Sequence, residues 1–330
     1  MRRLTEVGGF DLSVIPVAKA HRIPKLPDYA VLVEGNAVKD GVSRALQHVA
    51  VPLSMAIAEA GQLTRAKTRK ELELTFGLAP RDGWILTGVE RDSYVERMWR
   101  LHSPRKVYEG LRKAGAIFAT TPNFSTIADV PRHDNLHAMM RIALTWHDMV
   151  DAGLPTALHL NGRTDFDFVR WGQFARRQHH LRAVAFEFLT GAANNEDGQR
   201  YVERLKLFVK ESGRGDLLLV LRGGQRWLTE LQPHFGQIFV IDSGAYFKTV
   251  NRQRTELSID GRLVYRTHKT RLPADVRALF HHNVKARLAV YARASSPGSQ
   301  QQGGLFQAPP KKVVERPSSR ASDDQLLLDF

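Results

Sequence analysis

Six short runs of consecutive apolar residues, spaced about 20 to 40 residues apart, constrain the fold of this chain more than any other feature. Each run is followed by a stretch that is compatible with a helix, which is the arrangement of repeated βα units. The apolar residues are continuous rather than alternating, as is typical of parallel strands buried on both faces. The six runs are Trp84–Gly88, Ala116–Thr120, Thr156–Leu160, Ala183–Phe188, Leu217–Leu221 and Gln237–Ile241.

The number of βα units bears on whether the sheet is open or closed. An earlier apolar run, Ala30–Val33, predicts a seventh strand, and the less regular region before residue 80 leaves room for an eighth. The stretch from Val42 to Ala60 is predicted to be helical. Seven or eight such units favour an α/β fold of the (β/α) TIM-barrel type, with parallel strands, over an open doubly wound sheet.

Beyond residue 250 the pattern changes. Glu256–Ile259 and Arg262–Tyr265 flank Asp260-Gly261, a two-residue turn signal that predicts a β-hairpin, and a helix is predicted from Pro273 to about Ala294. From residue 295 onward Ser, Pro, Gly and Gln dominate, a composition typical of disordered segments. We therefore predict an N-terminal extension at residues 1–29, a barrel-like domain at residues 30–294 and a disordered tail at residues 295–330.

The charge of the chain indicates a polyanionic partner. The 48 Lys and Arg residues exceed the 34 Asp and Glu residues and give a net charge of +14. The predicted tail carries four residues of each sign, so the whole excess belongs to the folded part. A basic globular body attracts polyanions, and we therefore predict DNA or another nucleic acid as a partner. The alternative is a composition inherited from an Arg-rich genome.

Several classes of protein are excluded or unsupported. No run of 18 or more apolar residues occurs, so no membrane association is predicted. The absence of cysteine excludes disulfides and thiolate metal sites, and it fits a cytoplasmic location. No phosphate-loop or His-Glu-x-x-His pattern is present, so phosphate-loop nucleotide hydrolysis and zinc-protease chemistry have no support. No metal site is predicted, and no cofactor is assigned.

Two carboxylates near the carboxyl ends of predicted strands are candidate catalytic groups. Glu187 lies inside a buried run, where a carboxylate is unfavourable unless it is paired or hydrogen-bonded. Asp242 directly follows the last run. We predict that both act as acid, base or nucleophile. The alternatives are a structural Glu187–Arg pair that braces the barrel mouth and a capping role for Asp242.

Other polar residues also follow predicted strands, where the active sites of parallel barrels gather. We expect them to line one barrel mouth together with the two carboxylates. The Arg222-Gly223-Gly224 segment offers unobstructed backbone N–H groups to an anion, although a plain tight turn is the alternative. The predicted substrate-binding residues are Asn123, Asn161, Arg163, Asp165, Arg222, Gly223, Gly224 and Ser243.

Two segments of the predicted barrel resemble known families. Thr121-Pro122-Asn123-Phe124-Ser125, followed by Asp129-Val130-Pro131, is similar to an uncharacterised family of bacteria, phages and mobile elements. That resemblance covers residues 84–245 and implies a barrel-like fold and an association with mobile DNA, without an established activity. Ile241-Asp242-Ser243-Gly244 resembles the Val-Asp-Ser-Gly segment of the base-exchanging transglycosylases, which are also barrels. Here the segment lies late in the chain and the zinc-binding cysteines of that family are absent.

The last six residues, Gln325-Leu326-Leu327-Leu328-Asp329-Phe330, resemble the bacterial sliding-clamp-binding motif Gln-Leu-x-Leu-x-Phe. The resemblance implies that Gln325 binds a polar subsite of the clamp and that Leu326, Leu328 and Phe330 fill an apolar pocket. Gln302, Leu305 and Phe306 are similar to a shorter form, Gln-x-x-Leu-Phe. The alternative is that these apolar residues fold back onto the protein's own surface.

Three functions are compatible with these features. The first is an accessory protein of DNA replication, repair or modification, from a bacterium or mobile element, whose basic barrel is recruited to the DNA polymerase sliding clamp by its tail. The second is a barrel enzyme that acts on a nucleobase or nucleotide by glycosyl exchange or hydrolysis, with Asp242 and Glu187 as catalytic groups. The third is an enzyme of small metabolites whose tail is incidental.

Overall fold

The computed structural model describes residues 2–35, 38, 46–57, 67–77, 81–102, 106–189, 195–259 and 262–294. Eight parallel strands form a closed barrel in chain order, with the first strand paired to the eighth. The predicted (β/α) TIM-barrel-like fold is therefore confirmed. The barrel strands are β1 Tyr29–Leu32, β2 His48–Pro52, β3 Gly83–Thr87, β4 Ala116–Thr120, β5 Thr156–His159, β6 Ala183–Glu187, β7 Leu218–Arg222 and β8 Gln237–Asp242.

The strands are apolar throughout because both of their faces are buried. In β6, Ala183 and Ala185 point into the barrel, whereas Val184 and Phe186 pack outward against the helices. In a strand with one solvated face, apolar and polar residues would alternate along the sequence instead. The side chains that fill the barrel form an inner core, which comprises Leu26, Ala30, Leu32, Ala50, Ile85, Phe118, Ala157, Ala183, Ala185, Leu218, Val220, Phe239 and Ile241.

The predicted helix from Val42 to Ala60 is wrong over His48–Pro52, which forms β2 and completes the set of eight barrel strands. This segment pairs in parallel with β1 and with β3 and is buried along its whole length. Within the predicted range, the described residues are helical only over Leu53–Ala56. A five-residue apolar run that is buried on both faces has no periodicity to distinguish it from a buried helix.

Helices cover the outside of the barrel. The described helices are α1 Arg2–Glu6, α2 Leu53–Ala56, α3 Arg69–Phe76, α4 Asp92–His102, α5 Lys106–Lys113, α6 Arg132–Asp151, α7 Asp165–Arg177, α8 Asn195–Ser212, α9 Leu228–Leu231, α10 Gly244–Val250 and α11 Pro273–Ala294. Within the described ranges, no helix combines the length and the apolar character needed to cross a bilayer.

The segment before β1 packs against the barrel. The side chain of Gln178, after α7, accepts a hydrogen bond from the backbone N–H of Ala18 at 2.9 Å and donates one to the carbonyl of Pro16 at 2.7 Å. Leu26 joins the inner core and Ile23 packs against it. Because both residues precede β1, they lie at the amino end of the strands and cover the inner core there.

An antiparallel hairpin and a long helix follow the barrel, as predicted. The hairpin strands are β9 Gln253–Leu257 and β10 Leu263–Thr267. Ser258 and Ile259, predicted within the first strand, instead follow it, and the Ser258 hydroxyl donates to the carbonyl of Arg262 at 2.9 Å. The predicted turn residues Asp260 and Gly261 lie outside the described residues.

Candidate active site at the barrel mouth

A cavity of about 680 Å³ opens at the carboxyl end of the barrel strands, and we call it the mouth pocket. This is the end of the barrel at which parallel-barrel enzymes place their active sites. Its volume lies in the range of small-molecule binding sites, about 300 to 1,000 Å³. Its charged lining residues are Glu34, Glu90, Arg91, Asp92, Arg163, Glu187 and Arg222.

Five of the predicted site residues line the mouth pocket together: Asn123, Asn161, Arg163, Glu187 and Arg222. The strand geometry explains why three of them point inward. Glu187 is two residues beyond the inner-core residue Ala185, and Arg222 is two residues beyond Val220. Asn161 lies four residues beyond the inner-core residue Ala157 and therefore on the same face. Since side chains two residues apart lie on one face of a strand, all three extend the inner face to the mouth.

A chain of hydrogen bonds ends at the carboxylate of Glu187. The Thr126 hydroxyl donates to Asn161 Oδ1 at 2.8 Å, and Asn161 Nδ2 donates to Asn123 Oδ1 at 2.6 Å. Asn123 Nδ2 in turn donates to Glu187 Oε2 at 3.1 Å. Because Asn123 Oδ1 is already an acceptor, its amide presents N–H groups to Glu187. The network therefore fixes the orientation of this carboxylate.

Arg222 organises the opposite part of the pocket. Its Nη2 donates to Glu34 Oε1 at 2.9 Å, and its Nη1 donates to the carbonyl of Val89 at 2.5 Å. Burial raises the pKa of Glu34; the positive charge of Arg222 opposes this shift and the negative charge of Glu90 adds to it. Glu90 accepts a hydrogen bond from the Ser54 hydroxyl at 2.5 Å. The pocket thus holds a carboxyl group that takes up a proton more readily than an exposed glutamate.

Arg163 forms part of the pocket wall in a fixed orientation. Its Nε donates to the carbonyl of Thr126 at 2.7 Å, and its Nη1 lies 3.3 Å from the Tyr201 hydroxyl. The Tyr201 hydroxyl donates to the carbonyl of Gly162, also at 3.3 Å. These contacts join the segments that follow β4 and β5 to helix α8, so the guanidinium group is held in place for a ligand.

His159 lies at the buried end of the pocket and is only 2% exposed. Neither ring nitrogen has a hydrogen-bond partner within the part of the chain that the structure describes. Burial and the nearby charge of Arg222 lower the pKa of His159 to about 3, so the ring is neutral near pH 7. A neutral imidazole offers one donor and one acceptor. Buried polar atoms are normally hydrogen-bonded, which makes His159 a candidate ligand contact.

The prediction that Asp242 lines the mouth is wrong. Its neighbours Phe239 and Ile241 belong to the inner core, so Asp242 faces the outside of the barrel wall. There Arg287 Nη2 donates to its Oδ1 at 2.8 Å, Arg287 Nε donates to its Oδ2, and the Tyr29 hydroxyl donates to Oδ2 at 3.1 Å. Its Oδ1 also accepts from the backbone N–H of Gly244 at 3.0 Å, at the start of α10. Asp242 therefore links β8 to β1 and α11.

Four more predicted substrate-binding residues do not line the pocket. The Asp165 side chain is 71% exposed and accepts a hydrogen bond from Arg204 at 2.8 Å. Gly223 and Gly224 have left-handed φ angles of 76° and 70°, and a Cβ on Gly224 would lie 2.3 Å from the ring of Phe188. These features are those of the tight turn that was the alternative to an anion cradle. Ser243 directly precedes α10, beside the outward-facing Asp242.

The pocket also contains residues that were not predicted as site residues. Glu34 follows β1 and Glu90 follows β3. Both are polar residues just beyond the carboxyl end of a strand, which is the criterion that identified the other site residues. His159 falls inside a run that was interpreted only as a buried strand. Tyr201 comes from helix α8, and nothing in its sequence surroundings indicates a place in the site.

The remaining predicted contacts and the comparisons add no further site. The clamp-like residues Gln302, Leu305, Phe306, Gln325, Leu326, Leu328 and Phe330 lie outside the described residues. Across the residues that the structure describes, no group of three or more His, Asp and Glu side chains is arranged to hold a metal ion.

No protein-family model matches the chain, and comparison with curated proteins finds no matching sequence.

Proposed function

We propose that this protein is an enzyme that binds a nucleobase or nucleotide in the mouth pocket and catalyses glycosyl exchange or hydrolysis there. The observation that carries the proposal is the convergence of an oriented carboxylate, Glu187, and an unpartnered neutral imidazole, His159, on one pocket. Perturbed titratable groups that gather in a cleft are a physical signature of catalytic sites.

Two carboxyl groups of different character support acid–base chemistry at a glycosidic bond. Glu187 accepts a hydrogen bond from Asn123, whereas burial raises the pKa of Glu34. Pairs of this kind divide the roles of base and acid in glycosyl hydrolysis. In the proposed hydrolysis, Glu34 protonates the leaving base as the glycosidic bond breaks. Glu187 removes a proton from the water that attacks the anomeric carbon.

The lining of the pocket favours a ligand with both donors and acceptors. Four carboxylates and three guanidinium groups surround the cavity, together with the amides of Asn123 and Asn161. Such a lining suits a nucleobase edge or a sugar better than a purely apolar or purely anionic group. The net charge of +14 also favours nucleic acid and its components as the source of the ligand.

The substitution His159→Leu tests this proposal. We expect the variant to fold with unchanged or greater stability, because it removes two buried nitrogen atoms that have no partner among the described residues. We also expect it to weaken binding of the cognate nucleoside or nucleotide by about tenfold or more, which corresponds to one lost hydrogen bond. Thermal-shift screening of nucleosides, nucleotides and short oligonucleotides, followed by calorimetry, measures both effects.

Thr145→Val is the matched control for this experiment. It removes another buried oxygen without a partner in the described residues, in helix α6 and away from the pocket, so ligand affinity should not change. The proposal is wrong if no nucleic-acid component binds, or if His159→Leu binds the ligand as tightly as the wild type. Turnover of an unrelated small metabolite would favour the metabolic alternative.

A second candidate function, supported by the charge of the folded body, is that of an accessory protein in DNA replication, repair or modification. The chain from Ser295 onward carries no net charge, so the excess positive charge that attracts DNA lies in the preceding residues. The terminal Gln325–Phe330 peptide would hold this body at the sliding clamp and raise its effective concentration near DNA. This role is compatible with an enzyme that acts on nucleobases.

Replacing Gln325, Leu328 and Phe330 by alanine tests the clamp contact. Because a few anchor residues dominate peptide interfaces, we expect this triple variant to abolish binding to purified clamp while its melting temperature is unchanged. The corresponding change at Gln302, Leu305 and Phe306 should have a smaller effect, since the glycines within that segment add to the entropy lost on binding. A lower melting temperature with intact clamp binding would instead assign the last residues a structural role.

A further inference from the structure

The hairpin β9–β10 and the residues that flank it have a strong excess of positive charge. Residues 248–277 contain eight Lys and Arg residues but three Asp and Glu residues. The mouth pocket, by contrast, has a mixed lining of both signs. Most of this excess lies in the residues that flank the hairpin, and none of these residues is part of the proposed active site.

The strand register places the central cations on the outer face of the hairpin. Arg254 and Arg266 are directly opposite each other, and their side chains are 42% and 75% exposed. The neighbouring Thr255 is on the other face and is buried against α11. Like charges directly opposite each other destabilise a sheet. Glu256 offsets this repulsion, since its carboxylate lies 2.9 Å from Arg266 and 3.7 Å from Arg254.

Further exposed cations lie at the two ends of the hairpin. Arg262 immediately precedes β10 at the turn, and its backbone N–H donates to the Ser258 hydroxyl at 3.1 Å. At the other end, the backbone N–H of His268 donates to the carbonyl of Arg252 at 2.7 Å, which brings Arg252 and Lys269 to the base of the hairpin. The five residues of each strand span roughly 17 Å.

The hairpin is rigidly attached to the barrel, so these cations have a fixed arrangement. Asn283 Oδ1, on α11, accepts from the backbone N–H of Thr255 at 2.7 Å. Arg287 Nη1 donates to the Tyr265 hydroxyl at 3.1 Å, and the Lys248 ammonium lies 3.9 Å from the centre of the Tyr265 ring. A surface that is already ordered loses little conformational entropy when it binds a partner.

We infer that the outer face of the hairpin binds the phosphodiester backbone of nucleic acid. This inference rests on the proposal that the protein acts on or near nucleic acid, and it identifies the surface that makes the contact. Cations spread over the length of the hairpin match a polyanion that carries one phosphate per 3.4 Å or so of helix axis in each strand. Guanidinium groups bind phosphate oxygens in a bidentate manner, and Arg254 and Arg266 are the central pair.

Charge substitutions on this face test the inference through fluorescence anisotropy with labelled duplex and single-stranded DNA over a range of salt concentrations. We expect the Arg254→Gln/Arg266→Gln variant to bind at least about tenfold more weakly at low salt, with a smaller dependence of log K on log salt by up to about two. Glu256→Gln should have the opposite effect and bind DNA more tightly, because it removes the carboxylate that competes with phosphate for both arginines.

The matched control removes two positive charges from another exposed surface, in the variant Arg112→Gln/Lys113→Gln at the end of α5. It should bind DNA within about twofold of the wild type if the hairpin is the contact surface, because it leaves every cation of the hairpin in place. Equal melting temperatures for all variants would show that the comparison concerns binding and not folding.

The possible outcomes separate this inference from the proposed function. If the wild type binds DNA and the hairpin variant binds it equally well, or Glu256→Gln binds no more tightly, the inference is wrong while the DNA-associated function stands. If the wild type binds neither form of DNA, both the inference and the DNA-associated function fail. Binding to anionic phosphatidylserine vesicles but not to DNA, with the same dependence on the arginines, would overturn the inference in favour of a lipid surface.

Discussion

Replacing Arg287 by alanine is expected to destabilise the fold by about 3 to 5 kcal/mol, the range observed when one partner of a buried ion pair is removed. Arg287 and Asp242 are both buried, and two nitrogen atoms of the guanidinium group contact the carboxylate. Without Arg287, Asp242 would remain inside the protein as a charge without its cation. Burial, together with Asp242 itself, raises the pKa of Tyr29 well above its ordinary value, so Tyr29 remains a neutral donor and cannot supply the missing charge.

Equilibrium unfolding in urea measures this loss. A useful control is Arg200→Ala, which removes the partner of the exposed Glu196 and of Asp197 and should cost about 1 kcal/mol or less. The double variant Asp242→Asn/Arg287→Met should recover part of the stability, because it no longer contains the buried carboxylate. A loss below about 1 kcal/mol for Arg287→Ala would contradict the assignment of Asp242 as a structural anchor.

The substitution Glu187→Gln is expected to lower turnover of the nucleobase or nucleotide substrate by about 10² to 10⁴-fold, the usual contribution of a general base. The two side chains have nearly the same shape, and the glutamine carbonyl can accept the hydrogen bond from Asn123 Nδ2 as the carboxylate does. Ligand affinity and folding stability should therefore change little. Steady-state kinetics with the ligand identified by screening, together with thermal unfolding, would separate these effects.

Asp165→Asn is the matched control, since it makes the same chemical change at a carboxylate that follows a neighbouring strand but lies outside the pocket. It should leave turnover unchanged. Should Glu187→Gln retain full turnover, the proposed base is wrong. If the variant instead loses much of its stability, Glu187 braces the barrel mouth as in the structural alternative.

The barrel was predictable because its strands are buried on both faces, which leaves continuous apolar runs at a regular spacing. The exception was His48–Pro52, where a short run of this kind has no periodic signature of its own. The hairpin and α11 were also predicted, although β9 begins earlier and ends sooner than the sequence indicates. The pairing register decides those limits, and it depends on contacts with distant residues such as Asn283.

The site was predictable in part, because the position of a residue at the end of a strand does not determine the direction of its side chain. Glu187 and Arg222 continue the inner face of their strands, whereas Asp242 is one position out of step with Ile241 and faces outward. A shift of one residue exchanges the two faces of a strand. The location of His159 could not have been inferred without knowing which strand residues point into the barrel.

The segment before β1 has a kinetic consequence. Ile23 and Leu26 cover the inner core at the amino end of the strands, and large side chains such as Phe118 and Phe239 fill the interior beneath the mouth pocket. If the proposed enzymatic function is correct, the substrate and the product therefore share the entrance at the mouth pocket. The product has to leave before the next substrate enters, so a retained product should act as a competitive inhibitor. A base within a polymer could react only after it is turned out of its strand and presented to this opening.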